Sequence, residues 1–227
     1  MIFKQLFDTK SSTYTYIVSS GKGREALIID PVIENTDEYI KVLKNLDLKL
    51  VKVIDTHIHA DHITGLNELN KRTNCIRIMG KESKSEVIDL RIKDNEKINI
   101  ENIELKAIYT PGHTDCSYSF LMNDRVFTGD TLLINTTGRT DFQTGNSYDS
   151  YESLFNKLLK LPEKTLVYPA HDYNEKKCST IENERSNNPR LQVSSKEEYA
   201  EIMDNLNLVN PKMMDVAVPA NIKGFTL

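Results

Sequence analysis

The five histidines of this chain constrain it more than any other feature, because every one of them comes after a β-rich segment. His57, His59 and His62 fall within Thr56-His57-Ile58-His59-Ala60-Asp61-His62, just after the β-rich run Leu50 to Asp55. His113 follows Pro111-Gly112, and His171 follows Tyr168-Pro169-Ala170. Asp130, in Thr128-Gly129-Asp130-Thr131, completes the set. Side chains two apart on an extended backbone share a side, so His57 and His59 face one way; Asp61 and His62 then turn the other way. Imidazole and carboxylate donors together suit zinc, iron or manganese, which makes this a metal-centre pattern. Loops at the ends of strands, carried on a rigid sheet, are where such groups are expected.

Strands and helices alternate through two comparable halves. Ile2 to Phe7, Tyr14 to Val18 and Ala26 to Asp30 read as short strands, followed by a helix with Ile40, Leu43 and Leu46 on one face. Ile63 to Arg72 reads as a helix; Ile76 to Met79 and Ile103 to Tyr109 read as strands. Ser117 to Met122 and Arg125 to Thr128 form an expected hairpin across Asn123-Asp124. Tyr151, Leu154, Phe155, Leu158 and Leu159 recur at helical spacing, with Asp149 and Glu152 as the expected cap. Leu166 to Tyr168 is a strand that delivers His171, and Tyr199, Ile202, Met203 and Leu206 mark a last helix. Gly112 and Gly129 permit tight turns that aim His113 and Asp130 inward.

With 227 residues, 39% of them apolar, and no low-complexity linker or strong repeat, residues 1–227 read as a single domain. The 29 basic and 33 acidic residues give a net charge of −4 with no long basic run, which argues against nucleic acid as a partner. The apolar runs are too short to cross a membrane, and the N-terminus lacks the apolar core of a secretory leader. Cys75, Cys116 and Cys178 are odd in number and widely spaced, so neither a disulfide framework nor a thiolate zinc site is expected. The expected compartment is a reducing cytoplasm. Cys116, near His113, reads as a small packing residue.

His-x-His-x-Asp-His at 57–62, Pro111-Gly112-His113-Thr114, Gly129-Asp130 and the final His171 resemble the metallo-β-lactamase fold superfamily over the whole chain. That resemblance implies an α/β (α+β) fold, a four-layer αββα sandwich with the metal at one edge of its two sheets. More specific are Phe127 to Ile134, Gly138 to Gln143, Val167 to Tyr173, Ser179-Thr180-Ile181, Asn188 to Leu191 and Ala217 to Asn221. These stretches resemble the persulfide dioxygenases of the ethylmalonic-encephalopathy-protein type, from about Thr56 to Asn221.

The resemblance implies a non-haem iron enzyme with one Fe(II) per chain, bound by His57, His113 and Asp130 and open on the far side to substrate and O₂. His59, Asp61, His62 and His171 then surround bound water. In dinuclear hydrolases of the superfamily the same four bind metal and Asp130 bridges, so a zinc pair stays open on spacing alone. The implied substrate is glutathione persulfide, oxidised to sulfite and glutathione, as in sulfide detoxification. Arg139 and Arg190 are matched to its carboxylates, Tyr173 offers a hydroxyl, and Thr128 with Thr131 flanks Asp130. The competing reading pairs Arg139 with Asp141, has Arg190 pin the C-terminal segment, and packs Tyr173. A homodimer is a further expectation. The alternatives are a dinuclear hydroxyacylglutathione (thioester) hydrolase, which consumes no O₂, and a non-catalytic metal-binding scaffold.

Overall fold

A computed structural model describes residues 1–172 and 176–225. Tyr173 lies outside the described residues. The first half builds one six-stranded sheet in chain order: β1 (Ile2–Asp8), β2 (Thr13–Ser19), β3 (Glu25–Ile29), β4 (Lys49–Ile54), β5 (Ile76–Gly80) and β6 (Leu90–Ile92). Helix α1 (Thr36–Asn45) crosses from β3 to β4, and α2 (Leu66–Thr73) from β4 to β5. These crossovers make both strand pairs parallel, whereas β1, β2 and β3 pair antiparallel.

The second half supplies β7 (Lys97–Ile100), β8 (Ile103–Tyr109), β9 (Tyr118–Met122), β10 (Arg125–Gly129), a small ribbon β11 (Leu132–Leu133) with β12 (Thr136–Thr137), then β13 (Leu166–Pro169) and β14 (Ser179–Thr180). The second sheet runs β14-β13-β10-β9-β8-β7. Helix α3 (Ser147–Phe155) joins its parallel pair β10 and β13; α4 (Ile181–Asn187), α5 (Lys196–Asp204) and α6 (Met214–Lys223) close the chain. The expected β9–β10 hairpin is present, with Val126 opposite Leu121.

Alternation along the strands explains the layers. In β2, Tyr14, Tyr16 and Val18 face a core shared with Leu105, Phe120, Phe127 and Tyr168 of the other sheet. Ile17, between them, faces the opposite way and packs with Tyr39 and Leu43 of α1 and Leu66 and Leu69 of α2. On the far sheet Val126 and Val167 point outward onto Leu154, Ile181, Tyr199 and Met203 of α3 to α5. Helices therefore cover the outer face of each sheet, and the two inner faces meet: the αββα sandwich.

Several element boundaries differ from the expectations. The buried face of α1 is Thr36, Tyr39 and Leu43, with Ile40 at its edge. Helix α2 begins at Leu66 because Thr64 bridges to Val32 as extended chain. The cap of α3 is Asn146, whose side chain accepts from the Asp149 amide, and Leu158 and Leu159 fall in a separate 3₁₀ turn. Neither α4 nor α6 was expected; α6 carries Pro219 inside it and has no clean apolar stripe.

The two parallel pairs bring the site together. Ile29 pairs with Ile54, so Asp30 and Asp55 leave their strands side by side. Gly129 pairs with Pro169, so Asp130 and His171 emerge at the same edge of the second sheet. The Tyr14 amide donates to the Ala170 carbonyl at 2.7 Å, which ties that edge to the first sheet.

Candidate metal centre

Each histidine is held through one ring nitrogen, and the other nitrogen points to the centre. His113 Nδ1 lies 2.8 Å from the Arg139 carbonyl, and His171 Nδ1 lies 3.0 Å from the Ser12 carbonyl. A carbonyl only accepts, so both Nδ1 atoms carry the proton and both Nε2 atoms present a lone pair when the rings are neutral. His57 Nδ1 is 3.0 Å from the Thr56 hydroxyl, His59 Nε2 is 3.2 Å from Asp30, and His62 Nδ1 is 2.9 Å from Asp61.

The donor atoms fall into overlapping groups. One donor each from His57, His113 and Asp130 lies within 4.8 Å of the others, and the same holds for His59, Asp61 and His62. His171 stands between the groups, its Nε2 3.5 Å from Asp61 and 3.7 Å from Asp130. His113 Nε2 is 3.6 Å from Asp130 Oδ2. Donors about 2.1 Å from one ion at right angles sit roughly 3 Å apart, so small side-chain shifts complete the shell. His59 Nδ1, His62 Nε2 and Asp130 Oδ1 are buried and make no hydrogen bond. A folded protein rarely leaves such atoms unsatisfied, and a metal with its bound water satisfies them. The residues present fit a metal ion.

Electrostatics prepares the ligands. Burial, then the neighbouring His59 and His113 rings, push His57 well below the usual histidine range, so it is a neutral donor. Burial opposes charge on Asp61, but the His62 and His171 rings outweigh it and hold its carboxyl well below the usual range. Beneath the centre, Asp30, Asp55 and His59 form a third, fully buried group. Burial works against charge on His59, yet its hydrogen bond to Asp30 and the two acids raise it to about 9. Burial raises Asp55.

Ala60, Asp61, His113, Asp130 and His171 open onto a cavity of about 430 Å³, whose outer walls include Leu133, Arg139, Phe142, Arg190, Leu208, Val209 and Pro211. Its size suits a small organic ligand. Arg139 pairs with Asp141 through two bonds of 2.7 and 2.8 Å. Arg190 donates to the Thr137 carbonyl at 2.6 Å, and no carboxylate among the described residues pairs with it. Burial pushes its guanidinium below the ordinary value. The Thr128 hydroxyl donates to the Leu132 carbonyl at 2.6 Å and so holds the turn that carries Asp130. Cys116 is buried, and burial raises its thiol.

Two residues of the centre carried no role in the sequence. Asp30 accepts from the Thr56 amide at 2.7 Å and the Thr56 hydroxyl at 3.0 Å, besides touching His59. The strand-end rule that located the ligands also points at Asp30, the last residue of its apolar run. Asn221, on α6, accepts from the Thr64 amide at 2.9 Å and donates to the carbonyls of His59 and His62 at 2.9 and 3.0 Å. It thus satisfies the backbone of the histidine loop from the far end of the chain. Gly129 adopts φ +52 and Gly112 φ +134, and a Cβ at Gly112 would meet the Ser150 backbone at 2.3 Å.

Stripping the metal should lower Tm, since an ion that binds only the folded state at a thousandfold excess over its Kd adds about 4 kcal/mol. Differential scanning calorimetry with and without a chelator checks this; an unchanged Tm would dissociate the cluster from metal.

Residues 8–171 match the metallo-beta-lactamase superfamily. Mouse persulfide dioxygenase ETHE1, mitochondrial by name, is 42% identical over 226 residues, covering 98% of this chain and 88% of that protein. The crystal structure of ETHE1 from Myxococcus xanthus is similar at a TM-score of 0.95 and 45% identity, over 97% of this chain and 98% of that one. Hydroxyacylglutathione hydrolase from Dictyostelium discoideum is 34% identical over 190 residues, covering 77% of this chain and 68% of that protein. The chain belongs to the metallo-beta-lactamase superfamily and, within it, to the persulfide dioxygenase family.

Proposed function

We propose that this protein is a glutathione persulfide dioxygenase that works with one Fe(II) per chain. The observation that carries the reading is the end-to-end likeness to persulfide dioxygenase, which runs over 98% of the chain, against 77% for the thioester hydrolase. Two imidazoles and one carboxylate on one side of an open cavity support iron in particular, because a facial set of this kind leaves room for substrate and O₂.

His57, His113 and Asp130 would hold the ion, which when bound supplies the one-electron chemistry that lets O₂ react with sulfur. The net reaction takes one persulfide, one O₂ and one water to glutathione, sulfite and two protons. The chain's own residues do the rest. Asp61 and His171 line the cavity floor and can hold water there through hydrogen bonds. His59 and His62, walled in behind them, fix that floor. Arg190, half-buried and without an acidic partner among the described residues, offers a carboxylate of the substrate two parallel hydrogen bonds. Arg139 lines the cavity wall in this reading, Tyr173 belongs to it by motif, and Thr128, expected at the substrate, is instead fully buried and holds the turn that carries Asp130. Iron over a zinc pair, and a reducing cytoplasm as the compartment, are parts of the same proposal; the free thiols Cys75, Cys116 and Cys178 support the latter. No helix among the described residues is long and apolar enough to cross a membrane.

The test is O₂ uptake. Anaerobically purified protein loaded with Fe(II) should consume one O₂ per sulfite formed from glutathione persulfide. Cleavage of a glutathione thioester without O₂ uptake, by protein holding a zinc pair, would replace this reading with the hydrolase. Arg190→Ala should raise KM about tenfold or more with iron content unchanged, since a charge-assisted bond contributes about 1.5–3 kcal/mol. An unaltered KM would remove Arg190 from the substrate site.

A further inference from the structure

Arg139 reaches two parts of the centre at once. Its main-chain carbonyl accepts the His113 Nδ1 proton at 2.8 Å. Its guanidinium turns outward, where Nη1 donates to the Val209 carbonyl at 2.9 Å and Nη2 lies 3.4 Å from both the Leu208 carbonyl and Asn210 Oδ1. Asp141 holds the same guanidinium from the opposite side through the pair described above, and only 11% of the Arg139 side chain is exposed. The planar fork is therefore committed to protein partners.

The residues it holds belong to the connection between α5 and α6, which has no regular structure from Leu206 to Pro211. Leu208, Val209 and Pro211 of that connection face the cavity, yet Val209 is 90% exposed. An apolar residue that open has little burial to hold it in place. The bonds from Arg139 are what the structure offers instead.

We propose, resting on the persulfide dioxygenase reading, that Arg139 is a positioning and specificity residue and not a carboxylate clamp. Braced by Asp141, it straps the 208–211 segment across the site as an apolar wall, against which the carrier portion of the persulfide packs. Arg190 is left as the group that binds a carboxylate. Lysine cannot reproduce this role, because a single ammonium lacks the fork that spans a carboxylate and two carbonyls.

Two variants test it, Arg139→Met and Asp141→Asn. Lys212 lies exposed beside the strap, so the first readout is tryptic cleavage after Lys212 in the iron-loaded protein. Both variants should be cut there several-fold faster than the parent, with iron content unchanged, since the Arg139 carbonyl survives in each. The second readout is kinetic: KM for glutathione persulfide should rise about tenfold in both, kcat should stay within about twofold, and KM for the smaller cysteine persulfide should change less. Asp141→Asn is decisive. If Arg139 clamps substrate, freeing it from Asp141 lowers KM and leaves cleavage unchanged, and that result overturns the proposal. Unaltered cleavage in both variants also overturns it. If the parent oxidises no persulfide, the functional reading has failed, while faster cleavage in both variants still shows that Arg139 holds the strap.

Discussion

Replacing Asp130 with alanine should empty the metal centre and end turnover while leaving the fold intact. Asp130 is the only carboxylate in the triad with His57 and His113. Removing it leaves the two imidazoles without a carboxylate, and His57 is kept neutral by its surroundings, so the triad loses its anionic ligand. Changes to the partners that merely orient a ligand already cost about ten- to a hundredfold in metal affinity, and loss of a ligand should cost more. Stability should move the other way. Asp130 Oδ1 is buried and makes no hydrogen bond, so in metal-free protein this carboxylate is a burden on the fold. Metal-free Asp130→Ala should therefore melt at or above metal-free parent, although it no longer gains from added metal. Metal analysis, O₂ uptake and calorimetry on both proteins check the three parts. Iron retained at one per chain with full turnover would refute the ligand assignment.

The parts of this site that were legible in the sequence share a cause. His57, His113, Asp130 and His171 each follow a strand, and strand ends can be read from local composition alone. The β9–β10 hairpin is local in the same sense. What stayed hidden depends on partners far along the chain. Asp30 matters because β3 and β4 pair in parallel and bring it under Thr56 and His59, and no periodicity announces which strands will pair. Asn221 closes the histidine loop across 159 and 162 positions. Helix α6, which carries it, has an internal proline and no stripe, so its pattern reads as a tail. The cap of α3 failed for a smaller reason: Asn146 stands three residues before Asp149, just as Asp149 stands three before Glu152, and spacing alone does not choose between them. The Arg139–Asp141 pair was open in the sequence because a nearby acid and a distant substrate compete for the same fork; the structure bonds the fork to Asp141.

Asp30→Ala should be the most destabilising single change at the centre. Asp30 is 1% exposed, and its two oxygens serve the Thr56 amide, the Thr56 hydroxyl and His59 Nε2. Alanine strands all three buried groups, each at about 1–3 kcal/mol. It also removes an acid facing a raised histidine, and breaking a buried charged pair costs about 3–5 kcal/mol. The backbone adds to the loss: Asp30 sits at φ +50, where aspartate and asparagine are tolerated better than alanine. Against a total stability of about 5–15 kcal/mol, the variant should be partly unfolded at 37 °C. Asp30→Asn separates folding from metal binding. It keeps the shape, an acceptor for the Thr56 amide and the left-handed backbone, so it should melt well above Asp30→Ala, although below the parent. It loses the carboxylate oxygen that orients the Thr56 hydroxyl against the ligand His57, and with it about ten- to a hundredfold in metal affinity. Thermal melts of both variants together with metal titrations read the two effects apart. Parent-like stability in Asp30→Ala would mean that Thr56 and His59 find other partners, and the buried acid would then have no structural part in holding the histidine loop.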